Sequence, residues 1–142
     1  MLRHLSGEAE IRRAWPVMRQ LRPHHSEDSF LDVVLRAMAR PEPYRLSAWV
    51  DDDRVLAVAG HRRGECLAWG RYVYVYDLVS DEASRGKGAA WRLVEGLADE
   101  ARVDGFEQLH LDSGVGPSRF RAHRFYLRMG FDITSHHFER DL

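Results

Sequence analysis

Residues 79–90 read Val-Ser-Asp-Glu-Ala-Ser-Arg-Gly-Lys-Gly-Ala-Ala and decide how the rest of the chain is interpreted. The segment follows an apolar stretch that begins at Tyr72 and precedes an amphipathic run that begins near Gly88. This order predicts a strand, a glycine-rich basic turn and a helix. Such a turn points successive backbone N–H groups into one concavity, at the positive end of a helix dipole. The segment therefore predicts a binding site for a pyrophosphate group.

The glycines and the basic residues of this turn suit phosphate binding for separate reasons. Gly86 and Gly88 let the backbone approach an anion without a Cβ in the way, and Arg85 and Lys87 add positive charge. The nucleoside-triphosphate loop requires Gly-x-x-x-x-Gly-Lys-Ser/Thr, whereas Ala89 follows Gly88 here. The dinucleotide pattern Gly-x-Gly-x-x-Gly is also absent. A nucleotide-phosphate domain is therefore a weaker alternative, and a plain surface turn is another.

A second motif occupies residues 122–131, which read Ala-His-Arg-Phe-Tyr-Leu-Arg-Met-Gly-Phe. Arg85, Gly88 and Ala90 in the turn fit the pattern Arg/Gln-x-x-Gly-x-Gly/Ala. Together the two motifs resemble the GNAT acetyltransferases, which carry Ala-x-x-Phe-Tyr-x-x-x-Gly-Phe after their fifth strand. The resemblance covers roughly residues 70–132 well, and the N-terminal half in outline. It implies a GNAT fold of the α/β class (α+β type), with a mixed central β-sheet flanked by helices.

The resemblance also implies a site for acetyl-coenzyme A, the acyl donor of the family. The implied cofactor-binding residues are Leu78, Val79, Arg85, Gly86, Lys87, Gly88, Ala89 and Ala90. The turn would hold the pyrophosphate, and a backbone N–H near Leu78 or Val79 would stabilise an oxyanion. Tyr126 would protonate the departing thiolate, because a phenol within reach of the sulfur can donate a proton as the C–S bond breaks. The alternative for Tyr126 is a buried tyrosine that bonds a backbone carbonyl.

The base that deprotonates the acceptor amine is the least defined part of this site. An alkyl amine with a pKa of about 10.4 is mostly protonated at neutral pH and cannot attack. Many GNAT enzymes place a glutamate on the fourth strand, where this chain has Tyr76 and Asp77. Asp77 is therefore the second predicted catalytic residue beside Tyr126, unless it faces the other side of the sheet, since strand neighbours point oppositely. Asp112 and a chain of water molecules are the alternatives.

Histidines are frequent in this chain, and two adjacent pairs lie at residues 24–25 and 136–137. Neither pair has the i, i+4 spacing or the nearby cysteines typical of a zinc site, so we expect no metal. The first pair lies in a loop that borders the acceptor site in GNAT folds. A small-molecule pocket lined by histidine, Tyr44 and Tyr74 is one further hypothesis.

The composition sets the remaining limits. A chain of 142 residues predicts one domain, over residues 1–142, and 44% hydrophobic with 30% charged residues is ordinary for a soluble globular protein. A net charge of −1 gives no global attraction to nucleic acid. Cys66 has no second cysteine with which to form a disulfide, and its expected role is a small apolar filler rather than an acetyl carrier. Since the sequence shows no signal core and no membrane-length apolar run, we expect a cytoplasmic location and no membrane partner.

These observations predict an N-acetyltransferase that passes the acetyl group directly from acetyl-coenzyme A to an amine. A small-molecule primary amine is the expected partner, because the chain leaves little room for a recognition domain. A protein N-terminus or lysine is an alternative acceptor, and a non-catalytic acyl-coenzyme A sensor is an alternative function. Phe131 and Phe138 are candidates for a homodimer interface.

Hydrophobic periodicity predicts the elements around the motifs. In chain order they are a strand at 3–6, helices at 8–21 and from Ser26 or Asp28, strands at 44–50, at 55–61 and up to Val79, a helix from the glycine turn, a strand at 106–112, a helix at 118–129 and a strand-like segment at 131–140. Residues 63–65, Arg-Gly-Glu, are expected to form a turn between two strands.

Overall fold

The computed structural model describes all 142 residues, in two compact units, Met1–His110 and Leu111–Leu142. In chain order the elements are β1 (Leu2–Leu5), α1 (Glu8–Met18), α2 (Glu27–Met38), β2 (Arg45–Asp51), β3 (Arg54–Cys66), β4 (Gly70–Ser80), α3 (Ala89–Val103), β5 (Gln108–Leu111) and α4 (Phe120–Arg128). Short 3-10 turns cover Glu82–Ser84 and Pro117–Arg119. The single domain predicted over residues 1–142 stays a prediction.

The five strands form one sheet in the order β1-β2-β3-β4-β5. Strands β1 to β4 pair antiparallel with their neighbours. Strand β5 is reached from β4 through helix α3, and such a β–α–β connection joins parallel strands. The predicted mixed sheet flanked by helices is confirmed.

Two apolar clusters cover the two faces of the sheet. Helices α1 and α2 pack on one face through side chains such as Ile11 and Val34, against strand residues such as Val58. Helix α3 packs on the other face through Leu93 and its neighbours, against strand residues such as Ala59. Burial of these apolar helix faces holds the sheet between its helices, since each Å² of apolar area removed from water contributes about 25 cal/mol to the stability of the fold.

Helix α2 begins where the sequence predicts. The Ser26 hydroxyl accepts a hydrogen bond from the Ser29 backbone N–H at 3.1 Å, which satisfies one of the free N–H groups of the first turn. Helix α1 continues through Pro16 and ends at Met18, three residues before the predicted end.

The expected turn at residues 63–65 is wrong, because these residues lie inside β3. Gly64 pairs with Tyr72 on β4, and a Cβ at Gly64 would lie 2.8 Å from the Tyr72 hydroxyl oxygen. The glycine therefore makes room for a cross-strand tyrosine rather than for a turn. The chain reverses only after Cys66, and β4 begins at Gly70.

In the second unit, the strand-like segment expected at 131–140 is also wrong, since these residues form no helix or strand. Ile133 and Phe138 are 82% and 90% exposed. Alternation of apolar and polar residues makes a strand only where a neighbouring strand supplies hydrogen bonds, and residues 112–142 contain no strand.

Candidate active site

A β-bulge between β3 and β4 sets the directions of the side chains at the predicted base. Gly60 pairs with Asp77, but His61 pairs with Val75, so Tyr76 is an extra residue on β4. A bulge re-aims the side chains beside it. As a result, Tyr76 and Asp77 line the same cavity although they are consecutive in a strand.

This cavity has a volume of about 360 Å³, which lies within the range of small-molecule sites. Its walls come from the end of α1, the loop after it, α2, β3 and β4. The lining residues are Met18, Arg22, His24, His25, Phe30, Val33, Val34, Ala37, Tyr44, Arg62, Tyr76 and Asp77. His24, His25 and Tyr44 thus lie where the sequence suggests an acceptor pocket, whereas Tyr74 is not among the lining residues and instead contacts the rings of Trp69 and Tyr76.

Asp77 is held in the cavity by two donors. The Arg22 Nε donates to Oδ1 at 2.7 Å, and the Tyr44 hydroxyl donates to Oδ2 at 2.7 Å. Burial raises the pKa of the Tyr44 phenol well above its usual value, and the negative charge of Asp77 raises it further. Tyr44 therefore stays protonated and acts as a donor. Gly60 permits this arrangement, because a Cβ there would lie 1.5 Å from the Tyr44 hydroxyl oxygen.

The glycine-rich turn after β4 is anchored at both ends by side chains, one from the turn that follows α1 and one from α3. At its start, the Gln20 amide donates to the Asp81 carboxylate at 3.0 Å and accepts from the Glu82 backbone N–H at 2.9 Å. At its end, the Arg92 guanidinium donates to the Lys87 carbonyl at 2.8 Å. These contacts fix the backbone of an exposed turn that has little packing of its own.

No side chain caps the N-terminus of α3. Gly88 occupies the cap position with φ 76°, in the left-handed region, and contributes no side-chain cap. The first turn of α3 contains no acidic residue. Gly86 has φ 83°, and a Cβ there would meet no atom within 4 Å. The turn is therefore open at Gly86, beside the positive end of the α3 dipole, an arrangement that favours an anion.

The last residues of β4 have a strand neighbour on one side only. Leu78 and Val79 pair with Ala59 and Val58 of β3. On the other side, the chain joins β4 where the Glu107 N–H donates to the Arg71 carbonyl at 3.0 Å. Strand β5 begins one residue later, and its four residues span only about 13 Å at 3.3 Å each, too little to reach Leu78. Backbone groups at this end of β4 therefore lack a strand partner on that side.

Tyr126 lies in the second unit, on α4, and the second motif determines its setting. Gly130 has φ 86°, and its N–H donates to the Leu127 carbonyl, while the Phe131 N–H donates to the Tyr126 carbonyl. This helix end, a Schellman motif, brings the Phe131 ring to 5.9 Å from the Tyr126 ring. The Tyr126 hydroxyl forms no hydrogen bond with a backbone carbonyl. Burial raises the pKa of the phenol, so Tyr126 carries its proton at neutral pH.

Comparison with known proteins decides the family. The family model described as Acetyltransferase (GNAT) family matches residues 9–131. The chain belongs to the GNAT family of acetyltransferases. YhdJ of Bacillus subtilis (strain 168), an uncharacterized N-acetyltransferase, is 30% identical over 140 residues, which are 98% of this chain and 96% of YhdJ. The family predicted from the two motifs is therefore confirmed.

Two solved structures show the same fold as this GNAT protein. A GNAT family acetyltransferase of Staphylococcus aureus superposes with a TM-score of 0.81 at 14% identity, over 100% of this chain and 98% of that one. The aminoglycoside N-acetyltransferase AAC(6')-Iy in complex with CoA superposes with a TM-score of 0.80 at 14% identity, over 99% of this chain and 95% of that one. At these identities the likeness concerns the fold alone.

The predicted site residues of this GNAT protein fall in both units. The first unit holds Asp77, the open end of β4 and the turn at 85–90, and the second holds Tyr126. Their roles stay predictions. Asp112, the alternative base, also lies in the second unit, where its carboxylate is 3.2 Å from the His137 ring nitrogen.

Sequence reasoning missed two side chains that shape this site, Gln20 and Arg62, and although it placed the loop of Arg22 beside the acceptor site, it did not foresee the bond of Arg22 to Asp77. Gln20 and Arg22 act on residues about 60 positions away in sequence, so no local pattern shows them.

The structure brings together no group of three or more histidine, cysteine, aspartate or glutamate residues suited to a metal ion. None of its helices combines the length and apolar character needed to cross a bilayer.

Proposed function

We propose that this protein transfers the acetyl group of acetyl-coenzyme A directly to the primary amine of a small molecule. One observation carries the proposal. A single short segment, residues 76–88, lines a cavity at its first two residues and ends in an open, anion-favouring turn. A donor bound along this segment would have its phosphates at the turn and its reactive end near the cavity.

The turn would hold the pyrophosphate of the donor. Backbone N–H groups of Ala89 and Ala90 would donate to the phosphate oxygens, and Arg85 and Lys87 would add charge at the rim. Support comes from the open space at Gly86, since a bulky neighbour would obstruct the approach. Acetyl-coenzyme A would supply an activated thioester, and AAC(6')-Iy, which shares the fold, is a CoA complex.

The open end of β4 would receive the arm that connects the phosphates to the thioester. Leu78 and Val79 pair with β3 on one side and lack a strand partner on the other, so an N–H that points to that other side is held in place by its neighbours. Fixed donors of this kind stabilise developing negative charge without reorganisation. We assign the oxyanion-stabilising N–H to Leu78 or Val79.

Two side chains would move protons. Tyr126 has a phenol that is protonated at neutral pH and that no backbone carbonyl engages, as an acid for a leaving thiolate requires. Asp77 would accept the ammonium proton, directly or through water. Each of its oxygens already accepts one bond, but an ionised carboxylate has about four acceptor sites, so each oxygen retains one.

A second candidate function is a non-catalytic acyl-coenzyme A sensor, favoured by the engagement of Asp77 with Arg22 and Tyr44. The two functions differ in turnover. The test is release of free thiol from acetyl-coenzyme A in the presence of a panel of small primary amines. We expect amine-dependent release that falls by about 10² or more in Asp77→Asn, the range of general acid–base catalysis. Binding of acetyl-coenzyme A without turnover on any amine would favour the sensor.

The cytoplasmic location and the homodimer stay predictions.

A further inference from the structure

The charges that line the cavity do not balance. Two arginines, Arg22 and Arg62, face one carboxylate, Asp77. Arg22 is committed, since its Nε bonds Asp77 and another guanidinium nitrogen donates to the Tyr76 carbonyl at 3.1 Å. Because Asp77 also accepts from Tyr44, the only acid of the cavity is already engaged, and one positive charge is left over.

That charge belongs to Arg62. Arg62 forms no ion pair, and its Nε is buried with no hydrogen-bond partner. Its guanidinium carbon lies 5.7 Å from the centroid of the Tyr76 ring, a contact that leaves its N–H groups unpaired. The two terminal nitrogens of Arg62 form no hydrogen bond or ion pair within the chain, and Arg62 lines the cavity, so the end of the guanidinium is available to a ligand. A planar guanidinium on a cavity wall matches a carboxylate, which it can bind through two parallel hydrogen bonds.

The opposite wall of the cavity is apolar. It consists of Met18, Phe30, Val33, Val34 and Ala37, from α1 and α2. A ligand complementary to both walls carries an anion beside Arg62 and an apolar group against α2. A polyamine or an aminoglycoside, with several positive charges and no anion, would meet an unbalanced cation instead.

We propose that the acceptor is an amino carboxylate bound through its carboxylate by Arg62. Its apolar part is either a side chain or the alkyl chain between the amine and the carboxylate. The inference rests on the proposed function, because the amine is the group to be acetylated. Arg62 is here a specificity-determining residue for the acceptor. The apolar part of the ligand would lie against Phe30 and Val34, and the amine would face the segment at 76–77.

The test uses matched pairs of amines with and without the carboxylate. The pairs are leucine and isopentylamine, phenylalanine and phenethylamine, and 6-aminohexanoate and pentylamine. Each is titrated calorimetrically into the full-length protein, with and without coenzyme A present. We expect at least one amino carboxylate to bind at least about tenfold more tightly than its partner amine, as a charged hydrogen-bonded pair predicts.

Variants assign that preference to Arg62. Arg62→Gln should abolish the preference for the carboxylate, and Arg62→Lys should restore part of it because charge remains without the planar fork. Arg40→Gln is the control, since Arg40 is exposed and does not line the cavity, and it should bind as the wild type does. A preference that survives Arg62→Gln, equal affinity for both members of every pair, or no binding by any amino carboxylate would overturn the inference.

The acetylation assay with the same pairs separates this inference from the proposed function. Equal acetylation of both members of a pair would overturn the carboxylate preference and retain the acetyltransferase. Carboxylate-dependent binding that is lost in Arg62→Gln, with no acetylation of any amine, would support the anion site and contradict the transferase activity.

Discussion

Protonation of His61 should couple the stability of the sheet to pH. His61 is 2% exposed and lies at the end of a hydrogen-bonded row. Its Nε2 is 2.9 Å from the Ser47 hydroxyl, which is 2.8 Å from the His4 Nδ1, and the other His4 nitrogen is 2.9 Å from the Glu100 carboxylate. The His61 Nδ1 has no partner, so a proton added there would be buried without an acceptor.

The magnitude follows from the pKa of His61 in the folded state. Burial, the largest cause, acts together with nearby positive charges on His4, Arg45 and Arg63 to lower this pKa from 6.5 to about 3. Between these values the unfolded chain binds a proton that the folded chain does not. The stabilisation is therefore complete above pH 6.5 and is lost as the pH falls towards 3. At pH 5 the loss is about 2 kcal/mol relative to pH 7.5.

Urea unfolding at pH 7.5 and pH 5.0 measures this loss. Carboxylates titrate as well, so the informative quantity is the difference between the wild type and His61→Gln, which keeps a polar partner for Ser47 but does not titrate. We expect the wild type to lose about 2 kcal/mol more than His61→Gln over this interval. His136→Gln, at an exposed position, should behave as the wild type does. Equal losses in the wild type and His61→Gln would refute the reasoning.

Three further predictions concern the site. Gly60→Ala should destabilise the protein by about 1–3 kcal/mol in urea unfolding, because the new Cβ collides with the Tyr44–Asp77 pair. The control Gly114→Ala makes only ordinary contacts and should change stability by less than about 0.5 kcal/mol. Equal destabilisation by the two substitutions would contradict the geometry at Gly60. Gly88→Glu should weaken acetyl-coenzyme A binding at least about tenfold more than Gly88→Gln, since the glutamate adds a negative charge at the helix N-terminus. Equal weakening by the two substitutions would show that charge is unimportant there. Tyr126→Phe should lower kcat by about 10² or more with little change in donor affinity, and unchanged kcat would reject the acid, provided that chemistry limits the rate.

The sequence predicts the local parts of this structure well, because their causes are local. The strand, turn and helix around residues 79–90 follow from glycines and hydrophobic periodicity within one short segment. The Gly130-Phe131 pair likewise predicts the helix end that brings a ring against Tyr126, as neighbours in the chain make all of its contacts.

The parts that could not be predicted depend on residues far apart in the chain. The bulge opposite Gly60 places Asp77 in the cavity, and no pattern in β4 alone marks it. Gly64 reads as a turn residue until Tyr72 is placed across from it. The alternation at 131–140 resembles a strand, but alternation alone supplies no hydrogen-bonded neighbour.

Calorimetric titration with acetyl-coenzyme A, with ATP as the comparison, tests the central claim most directly. We expect acetyl-coenzyme A to bind with one site per chain and ATP to bind far more weakly, and we expect Gly88→Glu to remove the acetyl-coenzyme A signal while the protein remains folded. Absence of acetyl-coenzyme A binding to the folded wild type, even with candidate amines present, would contradict the account, and so would equal binding of ATP.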